Sequence, residues 1–372
     1  MSLTIASSHN HSARKSHPAL VEEAVVQTAS TIEAMEAAEA AGLRYVHDYE
    51  PGLSRKRSVK KTFSYADPVG KRVSDQKTLM RINALKIPPA WKDVWICHRA
   101  NGHLQCTGRD ERGRKQYLYH ADWRKFRDQT KYTKMIEFGK KLPEIRRRIG
   151  HDLGLPGLPK EKVLASVVSI MDQVMIRVGN DEYAKTNDSY GLTTMKNSHV
   201  KVSGTKVKFH FRGKSGVVHD IELSDPRVAK VVKKCQCLPG QELFGYQNDA
   251  GQLIDITSSD VNAYVQEIAG DKFTAKDFRT WHGSVRAARC LLELGPCKNE
   301  RESKKSMLQA VRETASDLGN TVSVCRKYYI HPSIGESHQN GLLFKLGAKK
   351  FKSPGLKAPE SFFMGLLKAC TK

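Results

Sequence analysis

The chain has 372 residues, long enough for two ordinary domains with cores of their own. Hydrophobic side chains make up 39% and charged ones 27%, and no apolar run approaches the length of a membrane span, which argues against a membrane-embedded helical protein. A formal net charge of +23 calls for a polyanionic partner, nucleic acid ahead of an anionic membrane.

In chain order, the opening MSLTIASSHNHSARKSHPAL lacks the apolar stretch of a secretory signal. Residues 1–40 read as an appendage whose second half, ALVEEAVVQTASTIEAMEAAEAAG, is a strong helix former ending at Gly42. Residues 41–125 shorten into strand-like pieces, LRYVHDY, VWICHRA, LQCTG and KQYLYH, punctuated by turns such as ADPVGKR and DERGRK. They predict a small β-rich domain. The basic excess gathers here, with 26 basic against 9 acidic side chains over residues 51–150. SRKRSVKK (Ser54 to Lys61) within it reads as a solvated basic loop, or as a nuclear signal in a eukaryotic source.

Residues 126–340 turn helical. KYTKMIEFGKKLPEIRRRIGHDL and KEKVLASVVSIMDQVMIRVG repeat apolar residues at three- and four-residue steps. A β island, HVKVSGTKVKFHFRGKSGVVHDIEL, interrupts them. It alternates Lys206, Lys208 and His210 against Val207, Phe209 and Phe211, and sets Lys214 at a hairpin tip. Residues 341–372, with 7 basic side chains and 1 acidic, are expected as a basic C-terminal tail. The fold class expected is therefore α+β. The eight cysteines fall in no disulfide framework, which favours a reducing compartment. CHRANGHLQC and the Cys235–Cys237 pair lack the second ligand pair of a zinc site, so no metal is expected.

The usual nucleotide and metallonuclease signatures are missing: no GxxxxGK[ST], no strand-borne GxGxxG, no HExxH. What remains are isolated cations and a tyrosine pair. Arg177 reads as the end of an amphipathic helix, where a cation meets the terminal carbonyls. Arg279 reads as the start of one, where its charge opposes the dipole and calls for an external anion. Lys214 alone reads as a solvated turn lysine, and Tyr328 and Tyr329 either pack or do chemistry on something negatively charged.

Taken together, IRVGNDEYAKTNDSYGLTTM, FRGKSG, KDFRTWHG and LGNTVSVCRKYYIHP resemble, in order and spacing, the type IB DNA topoisomerases in their compact poxvirus-like bacterial form. The likeness runs from about Gly42 to Ile334. It implies a catalytic pentad of Arg177, Lys214, Arg279, Asn320 and Tyr329, with Tyr328 a neighbour of the nucleophile. The implied activity is relaxation of supercoils through a 3′-phosphotyrosyl intermediate, swivelling and religation, without ATP. A phenol with a pKa near 10 needs cations to make it a nucleophile. Arginines match phosphate oxygens in the transition state, and a lysine can protonate the departing 5′-oxygen.

Two departures stand out: Asn320 replaces the poxvirus histidine, and Lys276 stands where tyrosine recombinases carry the histidine of His-x-x-Arg. RGRKQYLYHADWR resembles the family segment laid into the major groove. It implies base and phosphate contacts from Gln116, Tyr117 and Tyr119, and phosphate clamping by Arg112, Arg114, Lys115 and Arg124. The expected partner is double-stranded DNA, clamped by a monomer with a β-rich domain on one side and the helical catalytic domain on the other. No cofactor is required; a divalent cation is expected at most to speed turnover. A bacterial source would place the protein in the cytoplasm with the nucleoid, another source in the nucleus or a virion. A site-specific tyrosine recombinase and a non-enzymatic basic DNA-binding protein stay open as alternatives.

Overall fold

The computed structural model describes residues 34–57 and 62–371. The chain divides into two compact units, Met1–Lys131 and Tyr132–Lys372.

The first unit is built on an antiparallel sheet of β1 (Leu53–Arg57), β2 (Phe63–Ala66), β3 (Lys92–Ile96), β4 (Leu104–Arg109) and β5 (Lys115–Tyr119), in the order β2-β1-β3-β4-β5. Helix α1 is described over 34–40 and ends at Gly42, whose φ of 69° suits glycine. Helix α2 (Gln76–Ala84) is capped by Asp75, which accepts from the Thr78 N–H, and lies within the stretch expected to be mostly strand. It supplies Ile82 to a core with Leu53, Val94, Ile96 and Cys106. The basic run differs from its reading as a loop: Ser54–Arg57 belong to β1, and its remainder, 58–61, lies outside the described residues, as does the appendage up to residue 33. LRYVHDY also departs from expectation. It makes only an isolated bridge, Arg44 to Gly102, and its rings stack instead: Tyr45 on His103 at 4.2 Å and His47 on Tyr49 at 4.6 Å.

Helix α3 (Ala121–Asp152) carries the chain into the second unit, which holds the larger core. At its centre lies α4 (Lys160–Val174), buried along most of its length. Around it come α5 (Asp181–Asn187), the sheet β6 (Val200–Ser203), β7 (Lys206–Arg212) and β8 (Val218–Ser224), then α6 (Pro226–Gln236). The hairpin β9 (Gly245–Gln247) and β10 (Leu253–Asp255) precedes α7 (Ser258–Ala269), α8 (Ala275–Leu294), α9 (Glu300–Leu318) and α10 (Val322–Tyr328). Strand β7 alternates strictly, with Val207, Phe209 and Phe211 buried and Lys206, Lys208 and His210 exposed. The two architectures together make the fold α+β.

Past Tyr329 follow α11 (Pro332–Gln339), α12 (Leu342–Gly347) and α13 (Ala358–Cys370). The expected basic tail is therefore two further helices, and α13 buries Phe363, Met364, Leu366 and Leu367 in the main core. Each such side chain contributes about 1.5–3 kcal/mol. A buried ion network fastens α13: Arg146 on α3 donates to Asp172 on α4 at 2.8 Å and to Glu360 at 2.7 Å, and His282 on α8 pairs with Asp172 at 2.8 Å. Burial favours the neutral form of Asp172, but His282 and Arg146 outweigh it and hold the carboxyl below its ordinary range. Among the described residues no helix is long and apolar enough to cross a membrane.

Candidate active site

Four separate stretches deliver side chains to one pocket of about 280 Å³, lined by Arg177, Lys214, Lys276, Arg279 and Tyr329 together with Asn180, Ser189 and Tyr190.

Arg177 comes from beyond α4 rather than from its end. The helix stops at Val174, Met175 turns left-handed with φ 58°, and the chain extends. Two glycines hold that extension in place. A Cβ on Gly191 would stand 2.5 Å from the Gly179 Cα and 2.8 Å from the Arg177 carbonyl oxygen, so only glycine allows the two segments to touch. Backbone bonds from Leu192 to Arg177 (2.9 Å) and Thr193 to Val178 (2.7 Å) close the seam. That contact is the physical content of the IRVG…SYGLTT pattern.

Arg279 also departs from its first reading. It is the fifth residue of α8, only 6% exposed, and its guanidinium donates to the carbonyls of Met175 and, at 2.8 Å, Leu318. Its charge is thus answered by two helix C-terminal regions and not by the dipole of its own helix. Helix α8 is started by Thr274, whose N–H donates to Asp277 at 2.8 Å, and this first turn exposes Lys276 toward the pocket.

Lys214 sits in the tight turn Lys214–Gly216 between β7 and β8, as the hairpin pattern predicts. Asn320 follows Gly319, which ends α9 with φ 57°; its N–H bonds back to the Ala315 carbonyl at 2.8 Å. The Asn320 side-chain oxygen accepts from Arg177 at 2.5 Å, while its Nδ2 is buried without a hydrogen-bond partner.

Tyr329 closes α10 and lines the pocket, whereas Tyr328 is 39% exposed beside Lys327. Of the pair, Tyr329 therefore faces the pocket and Tyr328 the surface. Arg279 lies over the Tyr329 ring, 5.2 Å from its centroid. Burial pushes the phenol upward, but the charges of Arg279 and Arg177, a hydrogen bond from Arg279 and the charge of Lys276 outweigh it and bring the pKa below its ordinary value. Burial and the neighbouring Arg177 lower Arg279 itself to about 10, with Tyr329 opposing. Burial likewise lowers Arg177.

Sequence reasoning missed two residues here. Ser284, fully buried on α8, donates to the Tyr329 carbonyl at 3.1 Å and accepts from the His331 N–H at 3.0 Å. Beside it, a Cβ on Gly283 would stand 2.9 Å from the same carbonyl oxygen. His219 on β8 packs against Gly213 and Gly319, the residues that precede Lys214 and Asn320. The only sequence signal for it is its register opposite the core-facing Phe211.

A half-buried phenol with a lowered pKa, among a buried and a half-buried arginine and two exposed lysines, is equipped to attack a phosphodiester and hold the charge that develops. Residues 120–342 match the family described as eukaryotic DNA topoisomerase I, catalytic core, and residues 62–110 match the bacterial DNA topoisomerase IB N-terminal domain. DNA topoisomerase 1B of Acanthamoeba polyphaga mimivirus is 30% identical over 328 residues, covering 86% of this chain and 96% of the viral one. The chain belongs to the type IB DNA topoisomerases. DNA topoisomerase 1B of vaccinia virus (strain Copenhagen) is 26% identical over 259 residues, 68% of this chain and 79% of the relative. DNA topoisomerase 1 beta of Arabidopsis thaliana is 26% identical over 161 residues, 42% of this chain and 16% of the plant protein.

In this topoisomerase the other sequence-predicted DNA contacts lie in the first unit. Strand β5 exposes Lys115, Tyr117 and Tyr119 on one face, the two tyrosine rings parallel within 10° and 6.2 Å apart. Gln116 turns to the opposite face and donates to Asp110 at 3.0 Å. Arg114 pairs with Asp110 at 2.7 Å and Lys115 with Asp48 at 2.6 Å, while Arg112 and Arg124 are exposed. All eight cysteines are free thiols, and among the described residues no cluster could hold a metal ion.

Proposed function

We propose that this topoisomerase relaxes supercoiled duplex DNA by cutting and rejoining one strand through Tyr329, without ATP. The observation that carries the reading is the Tyr329 phenol, shifted toward phenolate, in one pocket with Arg177, Lys214, Lys276 and Arg279.

The Tyr329 oxygen attacks a phosphorus of the backbone and the bond to the 5′-oxygen breaks. The phenol proton leaves to solvent, and the Lys214 ammonium gives a proton to the departing 5′-oxygen, a transfer worth about 10²–10⁴-fold. Arg177 and Arg279 hold the non-bridging oxygens as charge builds on them, and Asn320 orients Arg177. The covalent 3′-phosphotyrosine conserves the energy of the broken bond. After the free end swivels, the 5′-hydroxyl attacks the same phosphorus and releases the phenol. No phosphoanhydride or cofactor enters the balance, and any divalent cation acts on turnover rather than on the bond changes.

Tyr329, Arg177, Lys214, Lys276, Arg279 and Asn320 all come from one chain, which supports action by a monomer. In the first unit, the exposed tyrosines of β5 and the cations Arg112 and Arg124 suit a duplex surface. The test is relaxation of a plasmid in EDTA without ATP, followed by denaturant trapping of a DNA adduct mapped to the Tyr329 peptide. Absence of relaxation, a need for ATP, or an adduct on another residue refutes the reading. A recombinase would also form the adduct but would not relax a plasmid that lacks a special site.

A further inference from the structure

We propose that His219 is a positioning residue for Lys214: its imidazole is a spacer that sets the Lys214 turn against the Asn320 segment. The inference rests on the acid role given to Lys214 above.

The ring begins in β8, in register with Phe211 of β7, and stacks on that buried ring with centroids 4.9 Å apart and planes within 16°. Its edge meets backbone on two sides. A Cβ added to Gly213 would stand 2.7 Å from the imidazole Cδ2 and Nε2. One added to Gly319 would stand 2.1 Å from Cε1 and 2.8 Å from Nε2. Real Cβ atoms do not approach so closely, so both glycines leave room that this one ring occupies. Gly213 is bonded directly to Lys214, and Gly319 directly to Asn320, whose side chain holds Arg177. One imidazole therefore spans the gap between the turn that carries the acid and the turn that orients an arginine.

The turn's own backbone is closed by Gly213 N–H to Val217 (2.7 Å) and Gly216 N–H to Gly213 (3.1 Å). Those bonds fix its shape but not its attitude toward α9. The stacked ring supplies that second constraint. Burial, and then the charges of Arg177 and Arg279, hold the imidazole below its ordinary pKa, so at neutral pH it fills the space without adding a further cation. His219 does not line the pocket, which is why it acts through Lys214 rather than on the phosphate.

The experiment compares single-turnover cleavage of an ordinary oligonucleotide with one carrying sulfur at the bridging 5′ position. Sulfur leaves without a proton, so a fault confined to the acid disappears on that substrate. His219→Ala should slow the oxygen substrate by about 10- to 100-fold, the scale of a reacting group displaced by about 1 Å. It should cut the sulfur substrate at nearly the unmutated rate, which also shows the variant folded. Gly213→Ala, whose φ is ordinary, should slow the oxygen substrate by pushing the ring. Combined with His219→Ala it should do less harm than the product of the two single effects, because the new methyl then occupies vacated space. Equal slowing of His219→Ala on both substrates, or full activity on oxygen, overturns the proposal. Lys214→Ala is the control for the underlying reading. If it stays slow on sulfur, the acid role falls, yet the Gly213–His219 cycle still decides whether ring and turn act together, and simple multiplication of the single effects refutes that.

Discussion

Ser284→Ala removes one hydroxyl from a fully buried position and leaves every charged group of the pocket in place. That hydroxyl joins two backbone groups on either side of Ile330: it donates to the Tyr329 carbonyl at 3.1 Å and accepts from the His331 N–H at 3.0 Å. Each hydrogen bond contributes about 1 kcal/mol net, and a buried group left without a partner costs about 1–3 kcal/mol. The variant should therefore lose about 2–3 kcal/mol of stability, read by urea denaturation with an unchanged slope. The larger consequence is for the nucleophile. Tyr329 ends α10, and Ser284 on α8 ties its backbone to the helix that carries Arg279. A shift of about 1 Å in the phenol oxygen should slow cleavage about 100-fold. The loss should be equal on oxygen and sulfur substrates, because the attacking group has moved and not the acid. DNA affinity should be unchanged. Wild-type cleavage at unchanged DNA affinity would show that the contact to Gly283 suffices and that the hydroxyl is dispensable.

The remaining predictions concern separate parts of the molecule. Tyr329→Phe should abolish relaxation and the covalent adduct while binding DNA normally, and Tyr328→Phe should stay active; the reverse outcome would reassign the nucleophile. Cleavage should rise with pH through a midpoint below 10, since burial of Tyr329 is outweighed by Arg279 and Arg177; Arg279→Gln should move that midpoint upward, and an unmoved midpoint would assign the ionisation to another group. Replacing exposed Arg112 or Arg124 by Ala should each flatten the salt dependence of DNA binding by about one unit of slope, whereas Arg114 and Lys115, already paired with Asp110 and Asp48, should do less; an equal effect of all four would mean that those ion pairs open on DNA. Asp172→Asn should cost about 3–5 kcal/mol by leaving Arg146 and His282 beside a neutral amide. Because the native carboxyl is held below its ordinary value, this contribution is fully present above about pH 4 and fades only as pH falls through the lower native value, so a gap that closes already at pH 6 would refute the lowered carboxyl.

The pocket residues were gathered in the sequence by the resemblance of four motifs, since each read alone was weak, and several of them sit at backbone features that leave a mark. Gly179 and Gly191 mark a close approach, Gly213 a turn, and Gly319 a helix end; in three of these cases the chemical residue lies within two positions. The alternation of β7 was equally plain. Less legible were residues whose role depends on contacts across the fold. His219 meets Gly319 from 100 positions away, and Ser284 meets Tyr329 from another helix, so no local pattern announces either. The C-terminal helices were hidden for a different reason. Lysines at 345, 349, 350, 352, 357 and 368 dominate the charge count, while Phe362, Phe363, Leu366 and Leu367 lie three and four residues apart on the face that α13 buries. LRYVHDY failed in the opposite direction. Its aromatic and β-branched residues suit a strand, but its rings stack within the unit and its backbone makes a single bridge.

The two kinds of cation in the pocket differ in how the protein holds them, and the difference matches the work the proposed reaction asks of each. Arg279 is buried, with donors fixed on the Met175 and Leu318 carbonyls, and Arg177 is tied to Asn320. Neither can swing toward solvent, so their field at the phosphorus exists before the phosphate arrives and no reorganisation is needed as charge develops. Those same bonds offset the cost of taking the two charges out of water, visible in the lowering of both guanidinium pKa values, to which at Arg279 the charge of Arg177 adds. Lys214 is exposed at a turn. A proton donor must give up its charge during the step and recover it for the next, which a buried, carbonyl-bound cation could not do without stranding its acceptors. Water access at the turn allows that exchange, and the fixed ring of His219 keeps access from becoming drift. Exchanging the two solutions, with Arg at 214 and Lys at 279, should therefore fail at both positions. Arginine at 214 stays charged and cannot protonate the 5′-oxygen, and lysine at 279 lacks the planar fork that reaches two carbonyls at once. Sulfur at the bridging position should rescue Lys214→Arg and leave Arg279→Lys slow; rescue of both would show that the arginine also serves the leaving group.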